Sequence, residues 1–430
     1  MVLKLDNSIN NLNKMILSKY SFGIGDRFGH QGVAQLNAII EAKKKSIEIT
    51  PVWNKSNREH SIIHTTPQDT RKAADEAVKT LNYRGQYCID ADHINMSNVD
   101  KFMDCSDFFT IDVADYIAKE TETKLIKQSI EKNKDLIGKL EIHGFSEAVV
   151  ITEKSLEEII KKYLFAVTEA GKIYRHIENK KGKDRFIAEV SMDEVDIPQT
   201  PVELLVILAL LSQENVPLQT IAPRFTGRFN KGVDYVGEVA KFRKEFEEDL
   251  LIIDYALKKY NLPENLKLSI HSGSDKFSIY PVIKELLKKH NKGIHVKTAG
   301  TTWLEEVIGL AEAGNEALEL AKTIYIEALS RIDELCAPYA QVIDIDRAKL
   351  PSSKDVQGWT GEKYANTLRH IPGNKDYNPN FRQLIHVGYK MAVEHIDQYN
   401  ACLEKYADIV GKQVYENVYT RHLCRLFDLS

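Results

Sequence analysis

The chain has 430 residues, 43% of them hydrophobic and 28% charged, the composition of an ordinary globular protein with room for a sizeable core. A formal net charge of −4 gives no broad basic field, so nucleic acid is not an expected partner. No run reaches the roughly 18 apolar residues of a membrane span, and the longest, VELLVILALLS at 202–212, suits a core helix.

The amino terminus, MVLKLDNSINNLNKMILSKYSF, has no long apolar stretch of the secretory type. Five cysteines (Cys88, Cys105, Cys336, Cys402 and Cys424) are scattered and form no C-x-x-C pair, which argues against a disulfide framework and a zinc finger. A cytoplasmic protein is expected. Along the chain a short apolar run, a polar or glycine-rich cluster and a helix-like stretch recur. Strands are predicted at 21–29, 46–53, 85–92 and 108–114. Residues 115–180 are strongly charged and read as a helical insertion after the fourth strand. Strands resume at 185–193, 217–225, 266–274 and 293–300, with helical patterns such as TPVELLVILALLSQE between them. Residues 304–430 read as helices that close and cap the fold. Eight strands alternating with helices imply parallel pairing, and eight is the number that closes a barrel. An open doubly wound sheet shares the rhythm, but no G-x-G-x-x-G follows an early strand. The expectation is an α/β chain forming one catalytic TIM-type (β/α)8 barrel domain over 1–430.

In such a barrel, chemistry sits at the carboxyl ends of the strands. The predicted ends carry Asp26, Arg27 and His30; then Lys55, Arg58, Glu59 and His60; then Asp90, Asp92 and His93, followed by Asp112. The fifth strand holds Glu189, Ser191 and Asp193 at alternating positions, hence on one face. The sixth brings Gln219 and Arg224, the seventh His271 in HSGSDK, and the eighth His295 and Lys297. Each has a plainer reading: strand-end Asp residues cap helices, Glu189 could form a buried ion pair with Lys297, and Lys55, Arg58, Arg224, Arg228 and Lys231 could be a solvated rim. Buried carboxylates nevertheless cost several kcal/mol unless paired, and histidine, carboxylate and lysine recur at one predicted end of at least five strands. His93, His271 and His295, with Gln219 as a further oxygen, suit a divalent cation such as Zn²⁺, Mn²⁺, Ni²⁺ or Co²⁺. No H-E-x-x-H spacing supports that set.

The stretches SFGIGDRFGHQG, PVWNKSNREHSIIHTTP, CIDADHINMSNVDKF, EVSMDEVDIPQTP, IAPRFTGRFNKGVDYVG, SIHSGSDKFSIYP and NPNFRQLIHVGYKMA resemble the tagaturonate epimerase family, from about residue 20 to the carboxyl terminus. The resemblance implies a metal-dependent barrel that interconverts D-tagaturonate and D-fructuronate in hexuronate catabolism, with some members also accepting neutral ketohexoses. It implies Asp92 and Glu189 as an acid/base pair, with Glu194 the alternative to Glu189. It implies His93 and His271 as metal ligands, and His295 in preference to Gln219 as the third.

The two sugar acids differ at a carbon bearing a hydroxyl β to the ketone, whose hydrogen simple enolisation cannot remove. Retro-aldol cleavage followed by re-addition on the other face is the preferred route over direct deprotonation and reprotonation. The substrate carboxylate needs a cation, for which Arg27, Arg224 and Lys297 are candidates, with Gln219 a further substrate contact. The expected partner is thus a small sugar acid, with neither nucleic acid nor membrane, and a homo-oligomer is compatible with the chain. The rival readings are a metal-dependent aldolase or isomerase acting on another ketose or sugar acid, and a sugar-acid-binding sensor without chemistry.

Overall fold

The computed structural model describes residues 14–298, 300–427 and 429. Four parallel strands open the fold: β1 (Tyr20–Gly25), β2 (Ile49–Ser56), β3 (Cys88–Ile94) and β4 (Phe108–Asp112). After them, β5 (Gly138–Leu140) and β6 (Val149–Ile151) pair only with each other, antiparallel. The remaining strands are β7 (Ile187–Ser191), β8 (Thr220–Ala222), β9 (Lys267–Ile270) and β10 (Ile294–Lys297). The barrel closes in the order β1-β2-β3-β4-β7-β8-β9-β10, with β10 back on β1. All eight predicted barrel strands are present, their ends shifted by a few residues. The first shift has a local cause. The Asp26 carboxylate accepts the backbone N–H groups of Gly29 and Gln31 at 2.9 and 2.8 Å, which turns the chain out of β1.

Residues 115–180 depart from the all-helical expectation. They contain the helices Thr123–Lys132 and Glu153–Lys181, but also the β5–β6 ribbon. The β-branched run Val149–Val150–Ile151 favours extended chain, and Gly144, at φ +95°, supplies a turn that other residues disfavour. The apolar helix Pro201–Gln213 starts at a Thr200/Glu203 capping box and buries residues Leu204 to Leu211 against the helices Glu153–Lys181 and Val239–Lys259.

The barrel interior is layered. At its amino-terminal end Leu17, Val52, Cys88, Phe108 and Ile187 form a small apolar plug. One step towards the carboxyl end, the registers Asn54↔Asp90, Thr110↔Glu189 and Gly23↔Lys297 put a polar layer across the barrel. The outward-facing residues of the strands join the main core under the helices. The helix Thr301–Ala313 follows β10 and packs against Ala407–Glu416, which also packs against Gly32–Lys44. The intervening chain returns to the mouth of the barrel, where Tyr339 joins its wall. None of the described helices is long and apolar enough to cross a membrane.

Candidate active site

Asp92 and His93 are neighbours in β3, and a regular strand would send them to opposite faces. Here the register with β4 slips between Ala91 and Ile94, and His93 takes φ +51°. A bulge with one left-handed residue re-aims the chain, so both side chains line the same cavity. Such a conformation costs about 1–3 kcal/mol outside glycine and clusters at functional sites.

Beneath that cavity lies a buried ion network. The Lys297 ammonium donates to Asp90 Oδ2 and Asp92 Oδ1, each at 2.7 Å, and to Thr110 Oγ1 at 2.5 Å; Glu189 Oε1 lies 3.2 Å away. Thr110 in turn donates to Asp90 at 2.9 Å. Gly23 makes this reach available: a Cβ there would come within 2.9 Å of Lys297 Cγ and 3.0 Å of Asn54 Nδ2. Burial works against the Lys297 charge, but Asp90, Asp92 and Glu189 outweigh it and raise its pKa well above the ordinary lysine value. Burial raises the deepest carboxyl, Asp90, to about 7 despite Lys297. For Asp92, nearer the mouth, burial is overcome by Lys297, then His93, and its pKa falls to about 2.

His271, just past β9, is the second junction. Its Nε2 lies 2.8 Å from Glu189 Oε1 and its Nδ1 lies 3.0 Å from Asp193 Oδ1, while Ser191 Oγ donates to the same Asp193 oxygen at 2.6 Å. Its ring meets that of His93 edge-on, with centroids 5.1 Å apart, and His93 Nδ1 contacts Asp112 Oδ2 at 2.8 Å. Burial opposes charge on His271, but Asp193 leads the groups that raise it to about 9; His93 is likewise raised, by Asp92 and Asp112 against burial. The donor atoms of His93, Asp193 and His271 lie within 4.8 Å of one another, as do those of His93, Asp112 and Glu194. An N/O donor set of that kind suits a borderline divalent cation. Its surplus of carboxylates holds protons on the two imidazoles, which a cation would displace. The donor set therefore fits a metal.

The cavity above has a volume of about 260 Å³. It is lined by Asp92, His93, Asp112, Asp193, Glu194, His271 and Lys297, and by Arg27, Arg58, Glu59, Lys231 and Tyr339, together with neighbouring loop residues.

A model of the family described as tagaturonate epimerase matches residues 2–428. This chain belongs to the tagaturonate epimerase family. The tagaturonate/fructuronate epimerase of Thermotoga maritima is 29% identical over 385 residues, covering 86% of this chain and 72% of that one. Two crystal structures of the fructuronate-tagaturonate epimerase of Cohnella laeviribosi share the fold. The complex with one glycerol has a TM-score of 0.80 at 23% identity, covering 96% of this chain and 82% of that one. The complex with two glycerols has a TM-score of 0.79 at 23% identity, covering 99% and 85%.

In this epimerase the residues expected from the sequence are distributed unevenly. Arg27, Asp92, His93, His271 and Lys297 all line the cavity. Glu189 lies one layer below, fully buried, with Oε1 engaged by His271 and Lys297 and Oε2 without a hydrogen-bond partner among the described residues. The buried Glu189–Lys297 ion pair, read from the sequence as the plainer alternative, is therefore present. His295 is not with the other histidines. It points into the barrel interior with Nδ1 2.9 Å from Ser21 Oγ and its ring against Phe108, and burial lowers its pKa to about 3. Strand alternation puts it two residues below Lys297, too deep for the mouth. Gln219 stands at the other end of β8, where its amide accepts from Leu17 N at 2.8 Å and donates to Met15 O at 2.9 Å; it ties down the amino-terminal segment. Arg224 lines a small adjoining space of about 20 Å³ with Asp193, Glu194 and His271. Arg27 is paired with Glu59 at 2.8 Å and covers the Tyr389 ring at 4.0 Å. Asp193 was legible in the Glu189–Ser191–Asp193 alternation, although it is absent from the expected ligand set. Tyr339 and Tyr389 carry no local signal, because the carboxyl-terminal helices bring them in.

Proposed function

We propose that the chain interconverts D-tagaturonate and D-fructuronate by retro-aldol cleavage and re-addition, with a divalent cation held by His93, His271 and Asp193. The observation that carries this reading is the joining of that donor set to the Lys297–Asp92 pair on one cavity wall. The cation, when bound, supplies Lewis-acid stabilisation of negative charge developing on the ketone side of the substrate. Asp92, ionised and facing the cavity, takes the proton of the β-hydroxyl as the adjacent carbon–carbon bond breaks, and returns it when the bond re-forms. The aldehyde carbon keeps its hydrogen throughout, so rotation of the aldehyde inverts the centre without exchange. Glu189 is the second carboxylate of the proposal. It acts through Lys297 and His271, the two wall groups it contacts, by fixing their charge and aim. Glu194, which itself lines the cavity, is the alternative to Glu189 as the second acid/base carboxylate.

The test is conversion of D-tagaturonate in deuterium oxide by protein stripped with chelator and reloaded with single metals, followed by NMR. Retro-aldol chemistry predicts metal-restored conversion with no deuterium at the inverted carbon. Deuterium at that carbon would establish deprotonation and reprotonation instead. Metal binding without conversion would favour the aldolase or sensor reading.

A further inference from the structure

We propose that Arg58 and Lys231 recognise the substrate carboxylate and so decide between a sugar acid and a neutral ketose. This rests on the functional reading above in taking a sugar acid as ligand. Four lysine and arginine side chains line the cavity: Arg27, Arg58, Lys231 and Lys297. Lys297 is saturated by Asp90, Asp92 and Glu189, and Arg27 is neutralised by Glu59. Arg58 and Lys231 make no ion pair with any carboxylate among the described residues.

Both are nevertheless mounted. The Arg58 guanidinium lies over the Tyr339 ring, 4.9 Å from its centroid, and the Tyr339 hydroxyl lies 3.1 Å from that of Tyr389. Val342 N–H closes a turn onto Tyr339 O at 2.9 Å, and Val342 O accepts from Lys231 N–H at 2.8 Å. One turn therefore carries the aromatic seat of Arg58 and anchors the backbone of Lys231. Two buried basic side chains grip the carbonyls around Lys231. Lys276 Nζ donates to Asn230 O at 2.9 Å and Val233 O at 2.7 Å, and Arg382 Nε donates to Gly232 O at 2.6 Å. A loop fixed so firmly, yet presenting an ammonium with no counter-charge paired to it among the described residues, is built for an anion from outside. Elsewhere in the lining, Asp92, Asp112 and Asp193 are already engaged by Lys297, His93 and His271 respectively. Arg58 and Lys231 are thus the lysine and arginine side chains of the lining that keep their charge for a ligand carboxylate.

The experiment compares wild type, Arg58→Gln and Lys231→Met on D-tagaturonate and on D-tagatose, which has a hydroxymethyl group where the acid has its carboxylate. Losing one partner of a charge-assisted contact should lower kcat/KM for the acid about 100-fold, mostly through KM, and for the neutral sugar at most a few-fold. Equal losses on both sugars, or none, overturn the proposal. Calorimetric binding of D-gluconate, which has no ketone to react, provides a second measurement that does not depend on turnover. Gluconate affinity that falls in both variants supports the assignment even if wild type fails to convert tagaturonate, which would sink only the functional reading. Gluconate binding that is absent in wild type, or equal in all three proteins, overturns the assignment itself.

Discussion

Lys297 and Asp90 face each other across the barrel at 2.7 Å, both buried, and Asp92 and Glu189 share the same ammonium. Removing the cation takes from these three carboxylates the charge they share, and leaves Asp90 buried with only the Thr110 hydroxyl among the described residues. Lys297→Met should destabilise the fold by about 3–5 kcal/mol, measured by urea unfolding. Adding Asp90→Asn should recover part of that loss, because Asp90 is the carboxylate with the least help from other partners. Additive losses in the double variant would show that the pair does not interact as described.

Asp92 can be separated from the groups behind it. Asp92→Asn is nearly isosteric and should keep the fold while lowering kcat by about 10²–10⁴-fold. Glu189→Gln and Glu194→Gln then distinguish the candidates for second carboxylate. A larger kcat loss in Glu189→Gln identifies the buried group; the reverse transfers that role to the one on the cavity wall.

Cation retention distinguishes the histidines. His93→Ala and His271→Ala should abolish stoichiometric divalent metal in dialysed protein, read by elemental analysis, whereas His295→Ala should retain it. Metal lost only in the His295 variant would refute the donor set.

Gly23→Ala is a test of close approach. Its added methyl meets Lys297 Cγ at 2.9 Å and the Lys297 Cα at 3.1 Å, neither at the free end of a flexible chain. A cost of about 1–3 kcal/mol is expected, with a larger proportional loss of activity as the ammonium is displaced. An unchanged melting midpoint together with wild-type kcat would show that the barrel relaxes there freely.

Acid stability should depend on His422, which is nearly sealed from solvent among Asp275, Glu305, Arg382 and Arg421. Its Nε2 accepts from Asp275 N–H at 3.1 Å and its Nδ1 donates to Asn417 O at 2.8 Å, an arrangement that needs the neutral ring. Burial lowers its pKa to about 4. Between that value and the unfolded value near 6.5, the unfolded chain binds a proton that the folded one refuses. Stability should therefore fall as pH falls through that window, by at most about 1.4 kcal/mol per pH unit from this residue. His422→Gln should flatten the dependence, seen in urea midpoints at pH 4.5 and 7; an identical slope in both proteins would contradict it.

Sequence alone determined the barrel. Its eight strands are apolar runs closed by polar clusters, and a helix buried on all sides such as Pro201–Gln213 is unmistakable in composition. It also marked Asp92, His93 and His271, because charged and imidazole side chains ending a buried run must have partners. The tertiary structure decided the depth and company of each side chain. Strand alternation puts His295 and Lys297 on one inner face but cannot say that two residues separate a barrel core from a barrel mouth. The β3 bulge that turns His93 to the side of Asp92 depends on pairing with β4, a partner brought in by the fold. Tyr339 and Tyr389 reach the Arg58 and Arg27 side chains, and Arg382 the Gly232 carbonyl, from more than a hundred residues further along the chain, through helix packing that no local pattern encodes. Local periodicity fixes which face a residue takes; only closure of the barrel and docking of the final helices fix what it meets there.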